Sequence, residues 1–280
     1  MIEGSYYNGR ISPWHGEDPG SIPGESINKM LIDIHCHLDA LSEAGKNIDL
    51  VIKMAREKNV GIIVTNGVNF KSNEIAINFS KKYQEVKASL GIYPIDSLFL
   101  TENEINQGIE FVRKNKEKII GIGEVGLDYK EDIKHLNKQK LVFQKFVDLA
   151  LELNLSLTIH SRNAEQECIE ILEKAKARKV IMHYFSGKLT LVERILKNKW
   201  FLSIPTAVKY SEHFQKVIEK APIENLFCET DSPFSHPDKK FPNEPANVIE
   251  SYKKIAEIKG ISLKEVEKKI EENFKRLFII

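Results

Sequence analysis

At 280 residues, 42% hydrophobic and 29% charged, the chain has the composition of a globular protein with room for one large core, not of a disordered or fibrous one. Lys and Arg total 41 against 40 Asp and Glu, so no bulk charge excess points to a nucleic-acid coat protein or a membrane-surface protein, and any polyanion contact must come from a local patch. No apolar run approaches the roughly 18 residues of a bilayer span, and three cysteines without CxxC spacing (Cys36, Cys168, Cys228) suit a reducing cytoplasm better than a secreted disulfide framework.

Residues 1–29 are rich in Gly, Ser and Pro, lack a hydrophobic period and have no secretory h-region, so they read as a flexible arm or an appended leader. His15 and Trp14 belong to that arm. Met30 reads as the start of the fold, and residues 30–280 as one barrel domain. The first strand is "LIDIHCHL", in which Asp33, His35 and His37 share one face and Ile34, Cys36 and Leu38 the other. A helical period follows over Ile48 to Lys58, then the strand "GIIVTNGV", a helix over Lys71 to Lys82 and the strand "VKASLGIY". The capping box "TENE" opens a helix over Glu102 to Lys116. The strand "IIGIGEVGL" sets Glu124 between glycines, and a helix over Leu136 to Leu153 leads to "LSLTIHS", where His160 and Arg162 face one way. A helix over Ala164 to Ala177 precedes "KVIMHYFSG" with His183; a helix over Leu189 to Lys197 precedes "WFLSIPT". After a helix over Ser211 to Glu219 comes "NLFCETDSP", with Glu229 and Asp231 on one face if the strand stays regular. A helix over Pro245 to Ile258 and a last one opened near Ser262 by the capping box "SLKE" complete the chain.

Eight strands alternating with helices predict an α/β fold, a TIM (β/α)8 barrel with a C-terminal extra helix. The alternative is an open doubly wound sheet. The barrel is preferred because polar residues fall at the C-terminal ends of strands spread around the whole count, not at one switch point. There is no GxGxxG after the first strand and no GxxxxGK[ST], which removes the usual support for a nucleotide cofactor.

A lone histidine on a buried strand is commonly a hydrogen-bonded core residue. Two at HxH spacing can both reach one cation, with Asp33 placed to fix a ring tautomer. Four of the eight histidines (His35, His37, His160, His183) sit at strand C-termini, as do Glu124 and Asp231, and N/O ligands of this type converge at a barrel mouth. His135, His213 and His236 fall in helices or loops and read as surface residues. Without a placed thiolate the set suits Zn²⁺, Mn²⁺, Fe²⁺ or Mg²⁺. Six candidates exceed the four that a closed zinc site uses, so one or two divalent ions are expected, with Glu124 as a bridge between two.

The motifs "DIHCHLD", "GIGEVGLDY", "IHSRNA", "HYFSG", "ETDSPF" and "NEPANVIESYKKIAEIKGISLKEVEKKIEENFKRLF" occur in this order from Leu31 to Phe278. Together they resemble the TatD family of metal-dependent deoxyribonucleases, a branch of the amidohydrolase-like barrels. The resemblance implies a TIM barrel with His35, His37, Glu124, His160, His183 and Asp231 as metal ligands, and phosphodiester hydrolysis on DNA, often as a 3′ to 5′ exonuclease. The implied substrate is single-stranded DNA or DNA 3′ ends, with neither a membrane nor an obligate protein partner. The chain departs from the family at "GIYP", where Tyr93 stands in place of the usual histidine and is expected to face the substrate.

The expected chemistry is attack on the scissile phosphorus by a water whose pKa a cation lowers toward about 7. Asp231 is the candidate for taking its proton and Glu229 the weaker one. Arg162 is placed to grip a phosphate, unless a salt bridge to Glu124 or Asp128 holds it. Lys239 and Lys240 are candidates for contact with a polynucleotide backbone, or a solvated loop. Two rival readings remain: a hydrolase of a small-molecule ester, amide or lactone, and a non-catalytic metal-binding barrel. Against the first, strand four offers no lysine that could carry a bridging carbamate.

Overall fold

In the computed structural model, which describes residues 30–278, the β-branched runs form eight parallel strands: β1 (Leu31–Cys36), β2 (Val60–Asn66), β3 (Val86–Leu90), β4 (Gly121–Gly126), β5 (Ser156–His160), β6 (Val180–Met182), β7 (Phe201–Pro205) and β8 (Leu226–Glu229). Each pairs with the next in chain order. The arm expected over residues 1–29 lies outside the described residues. Helices α1 (Leu38–Glu43), α2 (Ile48–Glu57), α3 (Phe70–Lys82), α4 (Glu102–Lys114), α5 (Leu136–Leu153), α6 (Glu165–Lys174), α7 (Leu191–Lys197), α8 (Glu212–Lys220), α9 (Ile249–Lys259) and α10 (Leu263–Phe278) lie between and after the strands. This is a TIM barrel, with α10 as the additional C-terminal helix. Among the described residues no helix is long and apolar enough to cross a membrane.

The strands are buried on both faces, as a sheet with side chains inside and helices outside requires. Both capping boxes form. Thr101 Oγ1 accepts from the Glu104 amide at 3.3 Å while Glu104 Oε2 accepts from the Thr101 amide at 2.7 Å; Ser262 and Glu265 exchange the same pair at 3.2 and 2.8 Å. Each box satisfies two orphan donors at a helix start.

Two strands are shorter than their sequence pattern suggests. β6 ends at Met182, and the chain turns at once, with Tyr184 left-handed at φ 45°. β8 ends at Glu229, and Asp231 is left-handed at φ 53°, so the strict alternation that would place both carboxylates on one face breaks between them. The short helix α1, directly after the first strand, was not expected.

The barrel closes where β1 meets β8. The Asp231 amide donates to the His35 carbonyl at 2.9 Å and the His37 amide to the Ser232 carbonyl at 2.7 Å. Asp33, fully buried, accepts from the Thr230 amide at 2.8 Å and from its hydroxyl at 2.5 Å. Outside this seam, the buried Tyr252 hydroxyl of α9 accepts from the Ile32 amide at 2.9 Å and donates to the Ile32 carbonyl at 3.2 Å. Tyr252→Phe therefore strands a buried amide, and the expected loss is about 1 to 3 kcal/mol, read as a lower urea midpoint with an unchanged slope.

Candidate metal centre

The four histidines and two carboxylates singled out as ligands meet at the C-terminal mouth of the barrel. Each arrives by a separate route: His35 on β1 and His37 one residue past it, Glu124 on β4, His160 at the end of β5, His183 one residue past β6, and Asp231 two residues past β8. Two glycines let the backbones behind them approach closely. A Cβ on Gly91 would lie 2.5 Å from the Glu124 carbonyl oxygen, and one on Gly126, at φ +147°, would lie 1.9 Å from that of His160.

Glu124 is the hub. Its Oε2 lies 3.5 Å from His35 Nε2 and 3.3 Å from His37 Nε2. Its Oε1 lies 2.7 Å from His160 Nδ1 and 3.8 Å from His183 Nε2. Asp231 Oδ1 is 3.7 Å from His35 Nε2 and 3.8 Å from both His37 Nε2 and His183 Nε2. Two overlapping triads, His35/Glu124/His183 and His35/His37/Asp231, each bring three donor atoms within 4.8 Å of one another.

Three of the four rings are held by their outward nitrogen. His37 Nδ1 donates to the Asn66 carbonyl at 2.9 Å, His183 Nδ1 to Glu229 Oε2 at 2.8 Å, and His160 Nε2 to Asp128 Oδ2 at 2.9 Å. A nitrogen that donates to an oxygen carries the proton, so once the ring is neutral the other nitrogen has its lone pair toward the centre. Among the described residues His35 has no such partner; its Nδ1 is buried and unpaired there, and its ring stacks on His183 at 3.7 Å. The Nε2 atoms of His35 and His37 lie 3.1 Å apart. Ring nitrogens crowded around two carboxylates are, once deprotonated, a donor set that fits one or two divalent cations.

Without a cation, the same crowding sets the charge states. Burial, helped by the neighbouring His183 charge, pulls His35 down to about 3, so it is neutral. Burial also acts downward on His37, but its bond to Glu124 and the charges of Glu124 and Asp231 outweigh it and lift it to about 9. His183 is lifted against burial to about 10, chiefly by Glu229. Burial acts upward on Glu124, yet the bonds from His160, His35 and His37 hold it well below the usual range. Asp231 is pushed up to about 6, mainly by burial.

The remaining predicted residues take other places. Asp33 bonds Thr230 and no histidine ring, so it belongs to the barrel seam and does not set a tautomer. Glu229 is fully buried behind His183, where it also accepts from Ser203 Oγ at 2.5 Å and the Tyr184 amide at 3.0 Å. Tyr93 donates to Asp128 Oδ2 at 2.7 Å and lies 3.3 Å from His160 Nε2. Arg162 donates through Nε to Asp128 at 2.9 Å and through Nη2 to Asp128 and Glu131. Lys239 sits 4.7 Å over the Tyr210 ring. His135 is exposed; His213 and His236 are half-buried, His213 against the Phe185 carbonyl at 3.1 Å.

From sequence Asp128 enters only as a salt-bridge partner for Arg162, yet it binds a histidine, a tyrosine and an arginine at once. A signal was present: Glu124, Gly126 and Asp128 have the same parity on one strand and its extension. The centre opens into a cleft of about 840 Å³ whose lining includes Tyr93, Lys130, Arg162, Tyr184 and Phe234.

Comparison with known proteins supplies the context. The family described as TatD related DNase matches residues 32–279. The human protein named deoxyribonuclease TATDN3 is 31% identical over 259 residues, 89% of this chain and 94% of its own length. A protein of Methanocaldococcus jannaschii named as an uncharacterized metal-dependent hydrolase is 35% identical, covering 88% of this chain and 96% of its own. YabD of Bacillus subtilis, named likewise, is 34% identical over 90% of this chain and all of its own. In fold, the crystal structure of the TatD homologue YJJV from Escherichia coli superposes with a TM-score of 0.82 at 22% identity, covering 91% of this chain and all of that one.

Proposed function

The chain belongs to the TatD family of related DNases, and from that premise we propose that it is a divalent-metal-dependent hydrolase of DNA phosphodiester bonds, acting on single strands or 3′ ends as a 3′ to 5′ exonuclease. The observation that carries the reading is the placement of Glu124, one oxygen toward His35 and His37, the other toward His160 and His183. His35, His37, Glu124, His160, His183 and Asp231 would hold one or two divalent cations. Bound there, divalent cations would lower the pKa of water and neutralise charge on the phosphate oxygens.

The chain's own residues do the rest. Asp231 presents Oδ1 to the histidines, and Oδ2 has no partner among the described residues, so Oδ2 is the atom that accepts the proton of the attacking water. Without a cation, burial raises Asp231 to about 6; a cation beside it would favour the ionised carboxylate that the role requires. Glu229 is fully enclosed and acts through His183, holding that ring in place. Arg162 is fixed through Nε and Nη2, and Nη1 remains as the donor for a phosphate oxygen. Tyr93 lines the cleft beside His160, and the enclosed Asp128 holds the Tyr93 hydroxyl and the His160 ring from behind.

The test is direct: incubate a 5′-labelled single-stranded oligonucleotide with the protein, with and without chelator, and size the products. A ladder shortening from the 3′ end that chelator abolishes and Zn²⁺, Mn²⁺ or Mg²⁺ restores is expected. Turnover of small esters or lactones with intact DNA would sink the reading.

Cation loading also has a pH signature. At pH 7 the metal-free protein carries protons on His37 and His183, whose values are raised to about 9 and 10. Loading must expel them, so affinity rises from pH 6 to 9 and protons are released. Titration calorimetry in buffers of different ionisation enthalpy measures that release.

A further inference from the structure

Phe234 stands three residues beyond Asp231 with 53% of its surface exposed, and it lines the same cleft as His37, Glu124, His183 and Asp231. A single exposed apolar side chain is ordinary. The backbone beneath this one is unusually fixed for a loop. The Phe234 amide donates to the Asp231 carbonyl at 2.8 Å, the Pro233 carbonyl accepts from the Asn243 amide at 2.8 Å, and the Ser235 carbonyl accepts from the Thr206 hydroxyl at 2.6 Å. Asn243 is itself fully buried and donates through its side chain to Thr206 Oγ1 and the Thr230 carbonyl at 3.0 and 2.9 Å. Residues 233, 234 and 235 are thus each pinned through the backbone, so the root of the Phe234 side chain is set relative to Asp231 while its ring faces the cleft. The bond from Phe234 to Asp231 closes a four-residue turn, whose ends lie less than about 7 Å apart.

We propose that Phe234 is the stacking platform for the nucleobase of the nucleotide whose phosphate lies at the metal centre. This rests on the reading of the protein as acting on DNA and names a subsite for it. A phenyl face suits a base because every base has a π-face, so the contact holds any of the four. The partly apolar wall beside a centre of charged ligands divides the cleft as a nucleotide is divided, with the anion at the metal ligands and the flat ring beyond.

The experiment compares two fluorescein-labelled oligothymidylates with phosphorothioate linkages at the 3′ end, one with a normal terminal nucleotide and one with an abasic terminal residue. Binding to the full, metal-loaded chain is followed by anisotropy. Phe234→Ala is expected to weaken binding of the base-bearing strand about tenfold, within the range for loss of one stacking ring, and of the abasic strand by less than about twofold. Phe234→Trp restores the preference, and melting temperatures verify that both variants are folded. An equal effect on the two strands, or none on either, overturns the stacking assignment. Because binding is read directly, wild-type protein that holds DNA without cutting the unmodified strand counts against the nuclease reading alone, while the ratio between strands still decides the role of Phe234. Wild-type protein that binds neither strand overturns both.

Discussion

Asp231→Asn lowers kcat on single-stranded DNA by about two to four orders of magnitude, the range for loss of a positioned proton acceptor, and leaves the protein folded. The substitution is nearly isosteric, and asparagine tolerates the left-handed φ of 53° at this position as well as aspartate does. The sign of the stability effect follows from the pKa. Asp231 is raised from 3.8 to about 6, mainly by burial. The folded state therefore favours its protonated form, and the ionised form costs stability as pH rises from 3.8 through 6. A neutral amide does not carry that cost, so at pH 7 the melting temperature of the metal-free variant is equal to or above that of the wild type. Steady-state kinetics and a thermal melt on the same preparation test both halves. An active variant would remove Asp231 from the chemistry, and a variant that unfolds would mean its charge stabilises the fold.

Glu229→Ala has the larger effect on stability, with an expected loss of about 3 to 5 kcal/mol. Its carboxylate, fully buried, accepts from His183 Nδ1, Ser203 Oγ and the Tyr184 amide, and alanine leaves all three donors enclosed without an acceptor. Metal affinity falls as well, by about 10- to 100-fold, because His183 loses the partner that orients it. Glu229→Gln keeps the volume and one acceptor oxygen, so it loses less stability while still weakening metal binding. In chelator the difference between wild type and Glu229→Ala depends on pH. Burial acts upward on Glu229, but His183 outweighs it and holds the value below 4.5, so its contribution is present above pH 4.5 and lost as pH falls. His183 is raised from 6.5 to about 10, so its share is full below 6.5 and lost as pH rises through 10. The gap between the two proteins is therefore widest from about pH 4.5 to 6.5. Urea denaturation across that range tests this; a gap that grows toward pH 9 would show the ion pair has been misread.

The barrel was legible because its strands and helices have separate periods, and because both capping boxes are local signals that tertiary contacts do not override. The six ligand candidates were legible for a related reason. Histidines and carboxylates at the C-terminal ends of five different strands have a common destination only if the sheet closes. What the chain order hides is which groups hold those residues from behind. The partner of His183 is 46 residues away on β8, and that of His37 is a backbone carbonyl, which any residue could supply. Asp33 shares a face with His35 by parity, yet its carboxylate is taken up by Thr230 of the neighbouring strand end, a partner 197 residues away that parity does not reveal. Glu229 and Asp231 likewise separate because the backbone leaves the strand between them.

The seam between β1 and β8 also bears on when the protein can act. Asp33 and Thr230 are 197 residues apart in sequence, and Asp231 joins His35 across the same junction. At about 5 to 20 residues per second of translation, His35 and His37 wait roughly 10 to 40 s for their last companion to leave the ribosome. A nascent chain therefore lacks the complete set of six candidate ligands until its final strand has docked, and a chain truncated before β8 never acquires Asp231.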